Sequence, residues 1–471
     1  MTQMRELWPQ LEPWLLAVWG LYLLVLACWI VLQKREPIAT LSWLLALAAL
    51  PVLGLVVYHF LGPQRIRRQR HRRTRARSGL QAALPDGLRA SEDCVTVAKL
   101  GQSVTRYAPA TATEAELLVG GHATYDALLA AIAGAQHHLH LEYYIFEADR
   151  IGTTVRDALA ERARAGVRVR LLLDAIGSGR TPNRFLTPLR EAGAEVAWFH
   201  PARLRWLWRP RVNLRSHRKL VVVDGREAFT GGINVSDTQD ERLRADAFRD
   251  LHLRLRGEVV RWLQLAFLED WHYTTGVALR DRNLWPELPP GRLLAQVLPS
   301  GPDSPWEAIH RVMVEAIHQA DRRVWLVTPY FVPGEAARMA LTSAALRGLD
   351  VRVLVPARSD SAIVRAAARS YYDELLAAGI RVFEYQPRML HSKALLVDGD
   401  TCLLGSANFD YRSFRLNFEL NVLLHDVGTA GALEKEIAAC LAESREVVAG
   451  RASGLGRRLG EAWARLLSPL L

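Results

Sequence analysis

HRKLVVVDG, His217–Gly225, and HSKALLVDG, His391–Gly399, carry the same histidine, lysine and aspartate at the same spacing, 174 residues apart. Each is followed by a small pair and an asparagine, Gly231-Gly232 with Asn234 and Gly405-Ser406 with Asn408. In a strand, residues two apart project from one face, so His217 with Lys219, and His391 with Lys393, each share a surface. The runs LVVV and ALLV read as strands buried on both faces. The small residues that follow let the backbone approach a bound oxyanion closely.

The repetition extends outward from these motifs. HLEYYIF (His140–Phe146) is echoed by LVTPYFV (Leu326–Val332), and EAGAEVAWFHP (Glu191–Pro201) by AAGIRVFEYQP (Ala377–Pro387), both 186 residues apart. AGVRVRLLLDA (Ala165–Ala175) matches RGLDVRVLVPA (Arg347–Ala357). The drop in offset from 186 to 174 places about 12 extra residues in the first half, ARLRWLWRPRVN, Ala202–Asn213. Short apolar strands alternate with helical patterns such as GTTVRDALAERARAG, which predicts α/β units with much parallel pairing. The expected architecture is two duplicated α/β halves, residues 78–257 and 294–471, related by pseudo-twofold symmetry. Residues 258–293, with the turn-rich PELPPG, are expected to connect them.

One copy of the motif supplies half a mechanism and two facing copies supply a whole one. One histidine can attack phosphorus while the other protonates the leaving alkoxide. Lys219 and Lys393 neutralise the non-bridging oxygens, and Asn234 and Asn408, with Gly232 and Ser406 behind them, donate or support hydrogen bonds to the same phosphate. The candidate catalytic set is therefore His217, Lys219, Asp224, His391, Lys393 and Asp398. The lysines supply the positive charge, so no metal and no cofactor is expected. Cys28, Cys94, Cys402 and Cys440 show no metal-ligand or disulfide spacing.

The net charge of +11 is concentrated: Pro63–Arg77 holds eight arginines and no acid, leaving +3 for the rest. Just before it stand two uncharged apolar runs, Trp14–Leu32 and Ile38–Leu61, each long enough to cross a hydrocarbon core of roughly 20 residues. The pair predicts a two-helix transmembrane hairpin (about 14–33 and 38–61) within residues 1–62, and a second run so close to the first does not fit a cleaved signal peptide. The arginine belt, residues 63–77, places the remainder of the chain in the cytoplasm and attracts anionic headgroups. The expected setting is multi-pass, in a bacterial cytoplasmic membrane. A membrane anchor favours lipid over nucleic acid as partner. The insertion interleaves Trp206 and Trp208 with Arg203, Arg205, Arg209, Arg211 and Arg215, a composition suited to docking the site onto a bilayer.

The paired H-x-K-x4-D motif resembles the signature of the phospholipase D superfamily. The hairpin, LEYYIF, TPYFVP, RSYYDELLAAG and GSANFDYRSFRLNFE are similar, over nearly the full length, to the bacterial cardiolipin synthases within it. The resemblance implies phosphatidyl transfer between two phosphatidylglycerol molecules through a phosphatidyl-histidine, with His217 as nucleophile and His391 as acid and then base. The sequence itself leaves that order open, and leaves open water as an alternative acceptor, which would make the chain a phospholipase D-type hydrolase. A merely lipid-gathering membrane protein would not need the paired motif. The family further implies an acid that orients each histidine ring, matched here by Asp250 and Glu419, with Asp224 and Asp398 bracing their loops. Two departures lie near the first motif: Ile233 where an aromatic is common, and Phe248 where tryptophan is common. Both bear on acceptor preference. The duplication already supplies both halves of a site, so catalysis needs no partner chain; oligomeric state has no sequence signal.

Overall fold

The computed structural model describes residues 2–32, 37–50, 53–54, 58, 95–200, 214–448, 450 and 454–468. The chain forms two compact units, a small one with the N-terminal helices and a large one with the rest of the described fold. In the small unit, α1 (Thr2–Val31) and α2 (Pro37–Ala49) bury Ile30, Leu47 and Tyr58 against each other. Most of their large apolar side chains, among them Trp14, Leu21, Leu24, Trp29, Leu41 and Leu45, remain exposed. Among the described residues no helix is long and apolar enough to cross a membrane. α2 has 13 residues, a length of about 20 Å, and most of residues 51–61 lie outside the described residues. In α1 the described side chains begin at Pro13 and omit Leu15 and Leu16 of the apolar run. The arginine belt and the insertion with Trp206, Trp208 and Arg209 also lie outside the described residues.

The large unit opens with α3 (Thr96–Thr105), β1 (Ala110–Ala112), β2 (Glu114–Val119), α4 (Gly120–Gly134), β3 (His138–Tyr143), α5 (Arg150–Arg164), β4 (Arg168–Asp174), α6 (Thr187–Glu191) and β5 (Glu195–Phe199). Then come β6 (Arg215–Ser216), β7 (Lys219–Val223), β8 (Glu227–Gly231), β9 (Leu251–Arg256) and α7 (Val259–Thr275). The second half runs β10 (Leu293–Ser300), α8 (Ala308–His318), β11 (Arg323–Val327), β12 (Phe331–Val332), α9 (Glu335–Leu346), β13 (Asp350–Pro356), α10 (Ala362–Arg369), α11 (Tyr372–Ala377) and β14 (Arg381–Tyr385). It closes with β15 (Ala394–Val397), β16 (Thr401–Gly405), β17 (Phe409–Asp410), α12 (Tyr411–Arg415), β18 (Asn417–His425), α13 (Val427–Ala442), β19 (Ser444–Glu446) and α14 (Leu455–Leu466).

The duplication is visible in the strand order. One sheet reads β2-β9-β8-β7-β3-β4-β5, and the core of the other reads β10-β18-β16-β15-β11-β13-β14, the same order strand for strand. β1 and β19 extend the second sheet at its two edges. Parallel pairing within this shared order is narrower than the strand–helix alternation suggests: it joins only β3-β4-β5 and β11-β13-β14. The motif strands and their neighbours pair antiparallel, because short turns rather than helices link β7 to β8 and β15 to β16.

Alternation within the motif strands fixes the layers. Leu220 and Val222 of β7, with Ala394 and Leu396 of β15, enter one core shared by both sheets. Val221 and Val223 point instead to the core under α4 and α5, and Leu395 and Val397 to the core under α8 and α9. The two sheets thus lie face to face between outer helices. The stretch 258–293 does more than connect. Its helix α7 buries Trp262, Leu263, Phe267 and Trp271 in the shared core.

Candidate active site

Each motif begins where its chain segment joins the opposite half. β6 pairs in parallel with the start of β18, Arg215 beside Asn417 and Ser216 beside Phe418, and the His217 amide donates to Phe418 O at 2.9 Å. The mirror junction is a bridge between Arg249 and Leu390, with the His391 amide donating to Arg249 O at 2.7 Å. These registers bring each acid to the histidine of the other half. His217 Nδ1 lies 3.0 Å from Glu419 Oε2, and His391 Nδ1 lies 2.6 Å from Asp250 Oδ2. A carboxylate at Nδ1 holds the proton there and leaves Nε2 with its lone pair. Both acids are buried.

The lysines reach back over their own strands. Lys219 Nζ donates to His217 O at 2.6 Å, and Lys393 Nζ donates to His391 O while standing 3.7 Å from Asp250. Lys393 Nζ also lies 2.8 Å from His391 Nδ1. Burial pushes His217 down to about 4; Glu419 opposes this, and Lys219 and Lys393 add to it. Burial also lowers His391, with Lys393 and Lys219 acting in the same direction against Asp250. Lys219 is pushed down to about 7 by burial and by Lys393, against the pull of Glu419 and Asp250. Burial would raise Asp250 and Glu419, but the facing histidines and lysines outweigh it and hold both below the usual carboxylate range. The charges of one motif bear on the other, so the two motifs form one electrostatic site.

Gly232 and Ser406 stand behind the acids rather than at a phosphate. A Cβ on Gly232 would sit 2.1 Å from Asp250 Oδ1, so only glycine leaves room for that carboxylate. At the matching position Ser406 donates its hydroxyl to Glu419 Oε2, and its carbonyl lies 3.0 Å from His217 Nδ1. Asn234 and Asn408 are buried beside the motifs. Asn234 Oδ1 accepts from the Ile145 amide at 3.2 Å, which turns its amide nitrogen away from that contact. Asn408 Oδ1 has no hydrogen-bond partner among the described residues.

The two motif aspartates stand apart from the histidines and lysines of their motifs. Asp224 follows the last residue of β7, five strand residues or ~17 Å from Lys219. Its carboxylate accepts the amides of Gln136, His137 and His138 at 2.7–2.8 Å. Asp398 does the same for Asp321, Arg322 and Arg323 at 2.8–3.1 Å. Both adopt positive φ, 52° and 53°. They staple the tight turn after each motif strand to the start of β3 and of β11, and touch no reacting atom.

Several site residues carry no motif letter. The Tyr144 ring meets His217 edge-on, centroids 4.9 Å apart, and lies 5.3 Å from Lys219 Nζ. Its hydroxyl accepts from Arg215 at 2.9 Å. Tyr330, 186 residues later, stands edge-on to His391 at 6.5 Å and donates to Asp360 at 2.7 Å. Phe248 packs 5.5 Å from His391, so the departure from tryptophan falls at the second histidine, across the half boundary. Arg218, inside the first motif, is buried, pairs with Asp270 of α7 and donates to Glu419 O at 3.1 Å. Ser216 bonds Glu142 through its hydroxyl and Asp174 through its amide at 2.8 Å.

Known proteins with this pattern are informative. A family model described as "Cardiolipin synthase, PLD-like domain" matches residues 128–248 and 313–441. "Cardiolipin synthase 2" of Bacillus anthracis is 38% identical over 469 residues, covering 95% of this chain and 90% of its own. "Cardiolipin synthase" of Geobacillus kaustophilus is 36% identical, covering 96% of this chain and 94% of its own. Among solved structures, a phosphatidylserine synthase from Haemophilus influenzae superposes with a TM-score of 0.62 over 80% of this chain and all of its own, at 14% identity, a likeness of fold.

Proposed function

The chain belongs to the cardiolipin synthases with phospholipase D-like domains and is a phosphatidyltransferase, and we propose that His217 and His391 carry out the transfer between two phosphatidylglycerol molecules. The supporting observation is the pair of cross-half contacts, His217–Glu419 and His391–Asp250, which leaves one Nε2 from each half available to the same phosphate.

His217 Nε2 attacks phosphorus of the first phosphatidylglycerol. The bond from phosphorus to the glycerol headgroup oxygen breaks, and His391 gives that oxygen a proton. Free glycerol leaves and a phosphatidyl-histidine remains. His391 then takes the proton from the terminal hydroxyl of a second phosphatidylglycerol, whose oxygen attacks phosphorus and expels His217 Nε2. The product is cardiolipin, and both histidines return to their starting protonation. A nucleophile must be neutral, which fits a His217 pushed down to about 4. An acid must be protonated, and a bound phosphodiester anion favours the imidazolium of His391. Lys219, Lys393 and the amides of Asn234 and Asn408 offset the charge that grows on the non-bridging oxygens.

We further assign residues 1–62 to a membrane hairpin, with the catalytic halves on the cytoplasmic side of a bacterial inner membrane. The exposed apolar faces of α1 and α2 support this, since such a surface in water is a liability unless lipid covers it. Trp206, Trp208 and Arg209 are assigned to bilayer docking on composition alone.

The test is purified protein with phosphatidylglycerol vesicles, read by lipid mass spectrometry. Cardiolipin with equimolar glycerol, lost in both His217→Ala and His391→Ala, is the expected result. Phosphatidic acid as the main product would mean that water is the acceptor and would overturn the transferase reading for this chain.

A further inference from the structure

α14 is turned the opposite way from an ordinary surface helix. Leu455, Leu459, Trp463 and Leu466 follow one another at spacings of four, four and three, which sets them on one face. That face is open: Leu455 is 73% exposed, Leu459 53%, Trp463 69% and Leu466 69%. The other face holds the helix to the body. Glu461 and Ala464 are buried, and Ala464 joins the core under α8 and α9. The Arg465 guanidinium stacks 4.3 Å over Tyr371, donates to Ser370 O and lies 3.6 Å from Glu374. Ser468 Oγ meets Tyr371 OH at 3.1 Å. A globular helix normally hides its apolar stripe and shows its polar one. Here polar groups anchor the helix, and the apolar stripe faces outward.

Its neighbours lead to the site. α14 packs on α10, which shows Ile363 to the outside and is N-capped by Ser361. The preceding residue, Asp360, accepts from Tyr330, whose ring stands edge-on to His391. The helix is thus linked to His391 through α10, Asp360 and Tyr330.

We propose that α14 is an interfacial helix that lays this edge of the catalytic body onto an anionic phospholipid bilayer. At 12 residues, about 18 Å, it is too short to cross a membrane and suited to lie along one. Arg457 and Arg458 are exposed and give the helix surface a positive charge that matches anionic headgroups, while Arg465 and the buried Glu461 lie on the anchoring face. Tryptophan on the apolar face suits the headgroup boundary. The choice of a bilayer over a protein partner rests on the reading that the substrate is a bilayer phospholipid. Docking here would bring lipid headgroups to the site without lifting a whole lipid into water.

The experiment uses the full chain carrying Cys28→Ser and Cys94→Ser; Cys402 and Cys440 are buried. An environment-sensitive fluorophore is placed on Leu459→Cys, with Asp157→Cys on α5 as the control. The protein is reconstituted in vesicles of phosphatidylcholine with about one-third phosphatidylglycerol and a headgroup-depth lipid quencher. The expected result is quenching at 459, little at 157, and weaker quenching at 459 on phosphatidylcholine alone. Leu459→Ser with Trp463→Ser should slow cardiolipin formation on vesicles by fivefold or more, and leave turnover of monomeric short-chain phosphatidylglycerol within twofold. No lipid quenching at 459 overturns the proposal. Self-quenching that rises with protein density, without lipid quenching, assigns the face to a second copy and also overturns it. Equal quenching without phosphatidylglycerol overturns the anionic preference. Quenching needs no turnover, so a chain that docks but makes no cardiolipin contradicts the proposed reaction and not the docking.

Discussion

Glu419 of the second half holds His217 of the first, with Nδ1 and Oε2 3.0 Å apart, and Asp250 of the first half holds His391 of the second. Neither half contains a complete histidine–acid pair. The exchange makes correct docking of the sheets a condition for activity. It also predicts which titration each mutation moves. Glu419 raises His217 and Asp250 raises His391. Glu419→Gln should therefore lower the titration of His217 further and leave His391 nearly unmoved, and Asp250→Asn should do the reverse. Histidine-selective NMR on the two variants reads this directly. The opposite assignment would show that each acid serves its own half in solution.

Gly232 is fixed by the Asp250 carboxylate, not by the turn. A methyl group there would force Asp250 off His391, since the Cβ position is 2.1 Å from Oδ1. Loss of the acid that orients a catalytic histidine costs up to about 10⁴-fold in kcat. Gly232→Ala should lower kcat for cardiolipin formation by up to that factor, while Gly166→Val, placed where no atom lies within 4 Å but φ is +89°, should lower stability without touching kcat of the folded protein. Activity assays alongside thermal melts separate the two.

The sequence carries the duplication because both motifs are sets of residue identities at fixed spacing. It carries the buried strands because LVVV and ALLV alternate between two apolar cores. The exchange of acids is absent from it, since the 202 residues between His217 and Glu419 meet only through the facing of two sheets. Tyr144 and Tyr330 were in view at the 186-residue offset, but an aromatic beside a strand reads as core until its ring is seen against a histidine. From spacing alone Gly232 and Ser406 read as support for a phosphate; their contacts with Asp250 and Glu419 are visible only in three dimensions. α14 lies beyond the duplicated pattern. Which face it presents depends on Tyr371 and Glu374, nearly a hundred residues earlier.

The shifted lysine predicts an unusual alkaline limit. Lys219 is pushed down to about 7 and His217 to about 4. Below about pH 4 His217 is protonated and cannot attack. Above about pH 7 Lys219 loses its proton and its attraction for phosphate. kcat/KM should fall on both sides of that window: on the alkaline side, loss of the Lys219 charge should appear in KM, and loss of the His391 proton, which burial makes easier, in the chemical step. A bound phosphodiester stabilises the ammonium, so kcat at saturating phosphatidylglycerol should persist to higher pH. Lys219→Gln should keep the acid limb of kcat/KM and remove the part of the alkaline loss that lies in KM, leaving the part set by the His391 proton. An alkaline limb unchanged in that variant would assign it to the His391 acid alone.

The last prediction separates a motif letter from a catalytic role. Asp224 and Asp398 belong to the shared pattern, yet each spends its carboxylate on three backbone amides at the far end of its strand. An asparagine keeps the shape and one acceptor oxygen but turns an NH2 toward amide donors. Leaving such donors unmatched costs about 1–3 kcal/mol. Asp224→Asn and Asp398→Asn should therefore lower the melting temperature by several degrees. For the protein that remains folded, kcat and its pH profile should stay within a few-fold of the parent, whereas His217→Ala and His391→Ala should abolish turnover without a comparable fall in melting temperature. Melting curves and active-site-normalised rates on the four variants decide it. If either asparagine variant were fully folded and dead, its aspartate would act on the reaction through a path other than the turn it staples.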